Sequence, residues 1–386
     1  MEKNYKNFPF IKSLNNNISF LFGIIFSLLI LYLVTFQSSS KKNFEELALG
    51  QTTKSVSGEF EDLKIHCYDL SDYQECLYDY YNFGDNKPVI LWLGNSQLHS
   101  INEYSKGQKI ASNKLFSLVK KKNHYLLTLS QSNANLQEHF IILSHLIKKL
   151  PIKYLILPVV FDDLREDNIR DALQDIFLDD SSLKFINKSE IGKNLIKSNI
   201  KSDNSGNDLN KSKSSLQENF ELLLNQNLEK KWSLWLKRPD LRGDLFNNLY
   251  KLRNFVLNIG PTTTRKILPG RYKKNLAALN SLLKISSENS IKTFMYIVPI
   301  RNDIKIPYNI LEYNKFKKDI KKIVVANDIE FQNLENLIPN TMWGKKPSTT
   351  LGNKNEIDFM HFNSDAHKIL ANSIFLEITN IWDLDR

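Results

Sequence analysis

Short apolar runs alternate along this chain with longer stretches in which apolar positions recur every three or four residues. "PVILWLG" (88–94), "YLLTLS" (125–130), "YLILPVV" (154–160) and "TFMYIVP" (293–299) have strand length and are apolar nearly throughout, as strands covered on both faces are. A weaker strand is expected near 328–334. Residues 103–122, 135–150, 271–289 and 364 to about 378 read as helices. The second of these closes at Pro151, and the last starts from a cap at Asn363 or Ser364. Strand–helix–strand–helix–strand at this spacing predicts an α/β domain, doubly wound around a parallel sheet with right-handed crossovers.

Two stretches break the alternation. Residues 171–270 carry no clear strand, and "SNIKSDNSGNDLNKSKSS" (198–215) has the composition of a disordered linker. They predict a mainly helical insertion between the third and fourth core strands. Near the N-terminus, 18–36 is an uncharged apolar run long enough to cross a bilayer as a helix. "QSSSKK" behind it is a poor cleavage site, so an uncleaved signal anchor is expected, with cleavage after the serines as the alternative. Lys3, Lys6 and Lys12 precede the run against Glu2 alone, which keeps 1–17 in the cytoplasm. Residues 37–86, polar and tyrosine-rich, then read as a linker and lead-in. The domain at 87–386 lies on the periplasmic or extracellular side.

Export changes how the rest of the composition reads. Cys67 and Cys76, the two cysteines, close a small loop in an oxidising compartment; two free thiols are the alternative. They match no zinc-ligand spacing. The formal net charge of +10 would suit nucleic acid in a cytoplasmic protein. Outside the cell it points instead to anionic lipid headgroups or an anionic wall polymer. The chain has no Gly-rich phosphate loop, metal-ligand spacing or dinucleotide fingerprint, so neither cofactor nor metal is expected.

Chemistry enters at two places. "GNS" (94–96) sets a small hydroxyl residue at the C-terminal lip of the first core strand, the edge where open α/β sheets bind ligands. "DFMH" (358–361), just before the last helix, sets a carboxylate and an imidazole three apart. A hydroxyl, an imidazole to take its proton and a carboxylate to orient the imidazole are the parts of a hydrolytic triad. Together the two motifs resemble those of the SGNH (GDSL-type) hydrolase superfamily. The resemblance spans roughly 87–170 and 271–380 and implies a flavodoxin-like three-layer α/β/α sandwich. It makes Ser96 the nucleophile, His361 the base and Asp358 its partner.

Two other blocks depart from the family's pattern. Where the family's second block has an oxyanion-binding glycine, this chain has Asn133 or Ala134; where the third has an asparagine donor, it has Asp162, followed by Asp163. An ionised carboxylate there would repel an oxyanion, so either Asp162 points away and Asn133 or Asn95 donates, or the enzyme is weak. An anchor before such a domain resembles a narrower group, the D-alanyl transfer protein of teichoic-acid modification and membrane-anchored polysaccharide O-acetylating proteins. That resemblance implies a cell-envelope polysaccharide or acyl donor as partner, often beside a multispanning membrane acyltransferase. The alternative reading is a non-catalytic scaffold or glycan-binding partner of such an acyltransferase.

The remaining chemistry-bearing residues have plainer readings. His99 is too close to Ser96 along a helical turn to face its hydroxyl. His367 reads as a surface residue of the last helix, and His139 and His145 as packed or solvated helix residues. Arg301 either binds substrate or pairs with Asp303. Arg165 and Arg170 are expected to pair with Asp162, Asp163 and Glu166. Trp232 and Trp235 read as packing residues, with a sugar platform or an interfacial helix as the alternatives.

Overall fold

The computed structural model describes residues 53–68, 70–205, 249–260, 263–347 and 355–384, together with Gly23 and Ser27. The chain divides into two units, one formed by 48–209 with 259–386 and the other by 1–47 with 210–258. In the second unit the described residues are Gly23 and Ser27, both helical, and 249–258, of which 249–256 are helical. The expected anchor at 18–36, apart from Gly23 and Ser27, lies outside the described residues, as do Trp232, Trp235 and most of the linker at 198–215. Among the described residues no helix is long and apolar enough to cross a membrane.

The larger unit is built on a seven-stranded sheet. Its parallel core consists of β4 (Val89–Gly94), β6 (Tyr125–Ser130), β7 (Ile152–Val159), β8 (Lys292–Ile297) and β9 (Glu330–Asn333). In space they run β6-β4-β7-β8-β9, the flavodoxin-like order in which direction of growth reverses between β4 and β7. β4 is buried from end to end, as its unbroken apolar sequence requires. Trp92 lies at its centre and donates its indole N–H to Tyr296 Oη of β8 at 3.2 Å.

Helices cover both faces. α3 (Ala111–Lys120) packs against α9 (Ser364–Ile381), and α4 (Leu136–Leu146) against α7 (Pro269–Glu288). α8 (Ile310–Ala326) lies beside α7, where Tyr272 Oη donates to Asp319 Oδ2 at 3.0 Å. The unit is a three-layer α/β/α sandwich. The expected helix at 103–122 is shorter than its pattern: 103–110 form turns and α3 begins at Ala111, while residues 100–101 before them form β5 (Ser100–Ile101) and pair with β1 (Lys54–Ser55).

Within the expected linker and lead-in at 37–86, the described residues from 54 to 83 form strands and a helix. β2 (Gly58–Phe60) and β3 (Leu63–Cys67) extend the sheet beyond β6, β3 parallel to it and β2 antiparallel at the edge. α1 (Leu70–Phe83) follows, and a disulfide joins Cys67 at the end of β3 to Cys76 within it. The insertion begins as a 3₁₀ stretch, Asp171–Leu178, then α5 (Asp180–Ile186) and α6 (Glu190–Ser205); α6 stays helical through 198–205, where the composition predicts a disordered linker. A second element had no sequence expectation. β10 (Trp343–Pro347) and β11 (Asn355–Phe362) make an antiparallel ribbon outside the main sheet.

Candidate active site

β4 ends at Gly94, and a short helix α2 (Ser96–His99) begins almost at once. Gly94 is required by space: a Cβ there would lie 2.2 Å from Leu98 Cδ1, which folds back over the strand end. Asn95 caps the helix by accepting the Gln97 N–H on its side chain at 3.1 Å. From Val89 to Asn102 every residue is buried except Ser96, which alone reaches solvent. A strand that needs burial on both faces therefore delivers one hydroxyl to the surface at its C-terminal end.

Asp358 and His361 come from β11. In the ribbon, Trp343 pairs with Phe362 and Lys345 with Ile357, so residues 358–361 lie opposite Gly344 alone. The Asp-x-x-His segment is thus a bulge, a device that re-aims side chains out of a ladder. Asp358 Oδ1 fills the bulge by accepting the N–H groups of Met360 (2.9 Å) and His361 (3.1 Å). Its Oδ2 lies 3.0 Å from His361 Nδ1, and His361 Nε2 lies 3.0 Å from Ser96 Oγ. Because a carboxylate only accepts, Nδ1 carries the imidazole proton and Nε2 is left to take the hydroxyl proton. Asp358 is buried and His361 half-buried, so the imidazole is held from the buried side and open on the side of the Ser96 hydroxyl.

Three residues outside the two motifs hold this arrangement together, and Asp163 among them meets Asn95 rather than the expected Arg165 or Arg170. Gln97 Nε2 donates to the carbonyls of Pro299 and Met360, both at 2.9 Å, tying the nucleophile turn to the end of β8 and to the triad segment. Asn102 Nδ2 donates to Asp358 Oδ2 at 3.2 Å. Asp163 Oδ1 and Oδ2 accept from Asn95 Nδ2 at 3.1 and 3.2 Å, which bridges the crevice between the ends of β4 and β7. Burial pushes the Asp163 carboxyl well above the usual carboxylate range, towards its neutral form.

The other site expectations divide. Asn95 is an unsuitable oxyanion donor, since its amide N–H groups face Asp163 and its oxygen is the helix cap. Asp162 accepts from Arg165 Nη1 and Tyr308 Oη, each at 3.0 Å, and pairs with Arg265, so its carboxylate is spent on cations and a phenol. Ala134 gives its N–H to Gln131 O at 3.1 Å. Asn133 is exposed and takes the left-handed backbone (φ 54°) that a glycine would favour, on a loop whose Gln131 N–H is bonded to Gly94 O. Arg301 pairs with Asp303 through both forks, at 2.6 and 2.9 Å, and gives its third nitrogen to Gly344 O. Arg170 turns away from Asp162 and Asp163 and clamps the buried Glu138 of α4 at 2.7 and 2.8 Å.

The histidines other than His361 are internal. His99 Nδ1 lies 2.7 Å from Ser130 Oγ, which is also 2.6 Å from His66 Nε2. His367 is buried, not at the surface, because the first turn of α9 lies against the 100–111 connection: it accepts the Ala111 N–H and donates to Ser100 O. Burial lowers all three, His66 to about 3 and His367 to about 4. His139 is buried too, without a hydrogen bond at either ring nitrogen, while His145 meets Ser182 at the start of α5. Among the described residues no cluster of His, Cys, Asp and Glu has the arrangement of a metal site.

Solved structures similar to this one include an acetylxylan esterase from Geobacillus stearothermophilus, with 8% identity over 75% of this chain and 94% of that chain and a TM-score of 0.36. The psychrotrophic esterase EstA from Pseudoalteromonas sp. has 11% identity over 76% and 98%, with a TM-score of 0.34. A GDSL-like lipase from Bacteroides thetaiotaomicron has 10% identity over 81% and 100%, with a TM-score of 0.36. No protein-family model matches the chain, and no curated protein matches it. What the site can do is carried by its own side chains: a solvent-facing hydroxyl, an imidazole and a buried carboxylate in hydrogen-bonded series.

Proposed function

We propose that this chain is a serine esterase or O-acyltransferase of the SGNH type, exported and membrane-anchored, acting on an acylated cell-envelope glycan. The observation that carries the chemistry is the series Ser96 Oγ, His361 Nε2, His361 Nδ1, Asp358 Oδ2, with 3.0 Å at each hydrogen-bonded step. Ser96 Oγ attacks the acyl carbonyl and its proton passes to His361 Nε2. Asp358 stabilises the imidazolium without taking its proton. The Ser96 N–H, at the first position of α2, and the exposed Asn133 are the donors for the oxyanion. His361 then protonates the departing sugar oxygen. In the second half water or another sugar hydroxyl loses its proton to His361 and attacks the acyl carbon; the acyl–Oγ bond then breaks as His361 gives that proton to Ser96 Oγ.

Placement and substrate rest on other features. The apolar run 18–36 supports an anchor, and the Cys67–Cys76 disulfide supports an oxidising compartment. The net charge of +10 supports an anionic envelope surface as neighbour, and a multispanning acyltransferase is the expected donor partner. The test is turnover of p-nitrophenyl acetate by the full chain in detergent, with and without an oligosaccharide acceptor. Nitrophenol release with free acetate indicates a hydrolase, and acetylated oligosaccharide indicates a transferase. No release by a folded chain overturns the enzymatic reading in favour of a scaffold.

A further inference from the structure

Asn102 follows β5, six residues after Ser96 but far in sequence from Asp358 and His361, and is fully buried. Its backbone N–H donates to Phe362 O at 3.0 Å, at the end of the bulge. Its side-chain Nδ2 donates to Asp358 Oδ2 at 3.2 Å, the same oxygen that meets His361 Nδ1. One residue therefore grips both ends of the segment 358–362. The orientation of its amide is fixed by chemistry: the reverse flip would set Oδ1 against a carboxylate oxygen. In the orientation observed, Asn102 Oδ1 is buried without any hydrogen-bond partner. An unpaired buried carbonyl is unfavourable, and an apolar side chain of similar size would fill the same space without it.

The opposite wall of this space is Gly344, the lone residue facing the four-residue bulge. A Cβ on Gly344 would lie 2.0 Å from Asn102 Oδ1 and 2.1 Å from its Cγ. The amide has nowhere to retreat, since its other end is held on Asp358 and its backbone on Phe362. Gly344 O is in turn held by Arg301 Nη1 at 3.2 Å. A buried amide with one end unpaired, a glycine that makes room for it and a carboxylate that needs orienting thus meet at one point.

We propose that Asn102 is a positioning residue of the triad, fixing the Asp358 carboxylate in the plane that orients His361, and that Gly344 is the residue that admits it. The proposal rests on the serine-hydrolase reading for its kinetic consequences and on geometry alone for its structural ones. Near-isosteric Asn102→Leu is expected to lower kcat for p-nitrophenyl acetate by roughly 10- to 100-fold with KM little changed, because misplacement of a catalytic group costs rate rather than binding. Gly344→Ala is expected to lose a similar factor in the wild-type background. In the Asn102→Ala background, where the amide is gone, the same substitution is expected to change kcat less than about 2-fold, a coupling that only a shared space produces.

A readout independent of turnover is the proton NMR signal of the His361 Nδ1–H, assigned by its loss in His361→Ala. It is expected to be resolved in the full chain and to broaden into solvent exchange in Asn102→Leu, with melting checked separately. Two results would overturn the proposal: an Nδ1–H signal unchanged in Asn102→Leu, or a Gly344→Ala penalty equal in both backgrounds. A wild type without esterase activity would defeat the functional reading, and the NMR comparison would still decide the role of Asn102.

Discussion

Ser96 and its two partners come from segments more than 250 residues apart, yet each lies in a short motif whose residue types announce its chemistry. A hydroxyl behind an apolar strand and an Asp-x-x-His before a capped helix are local patterns, and local patterns survive in sequence. Gln97, Asn102 and Asp163 are different. Each is an ordinary polar residue whose role exists only once a distant carbonyl, carboxylate or amide is brought to it. Asp163 gives a prediction at this scale. Its raised folded-state pKa means that its contribution is most favourable below the unfolded value and is lost as pH rises through the folded value. Asp163→Asn, which mimics the neutral acid, is therefore expected to keep or raise the melting temperature at neutral pH and to leave esterase activity within about 3-fold of wild type. Asp163→Leu strands the buried Asn95 amide and is expected to cost roughly 1–3 kcal/mol in a denaturant titration.

Elements were legible in proportion to how apolar they are. β4, β6, β7 and β8 lie within one or two residues of their apolar runs because strands covered on both faces have little choice of composition. β2 and β3 escaped because "GEF" is the edge strand and "LKIHC" lies next to it, both short and partly polar rather than apolar throughout. β10 and β11 escaped for a similar reason: a two-stranded ribbon broken by a bulge carries no clean period of two. The His367 expectation failed on the same ground, since a polar residue near a helix start reads as exposed unless the partner segment is known. The disulfide is where the overlooked lead-in can be tested. It ties the last strand of the lead-in to α1, and its loss is expected to cost roughly 2–3 kcal/mol by chain entropy. Reduction, or Cys67→Ser with Cys76→Ser, should accordingly lower the melting temperature by about 3–5 °C. No change on reduction would mean that 54–83 is not integral to the sheet.

At the scale of the whole molecule, the flavodoxin-like order places the crevice between β4 and β7, and the nucleophile, the Asn95–Asp163 bridge and the triad bulge all gather at that edge. Behind Ser96 lies a buried layer in which His66, His99 and His367 are held towards the neutral form. Unfolded imidazoles titrate near 6.5, whereas His66 and His367 do so only at about 3 and 4 in the folded chain. Between these limits the unfolded chain binds more protons, so stability falls as pH drops below about 6.5, by about 1.4 kcal/mol per pH unit for each such histidine. Denaturant midpoints at pH 7, 6 and 5 should show this fall, and His367→Gln should reduce its slope.

Covalent labelling of the full chain with a fluorophosphonate serine probe, beside Ser96→Ala and His361→Ala, reads the activated hydroxyl itself. Strong labelling of the wild type at Ser96 is expected, and its loss in both variants, because the reagent reports a hydroxyl activated by its imidazole. Labelling that survives Ser96→Ala, or a folded wild type that takes no label, would contradict an activated hydroxyl at Ser96.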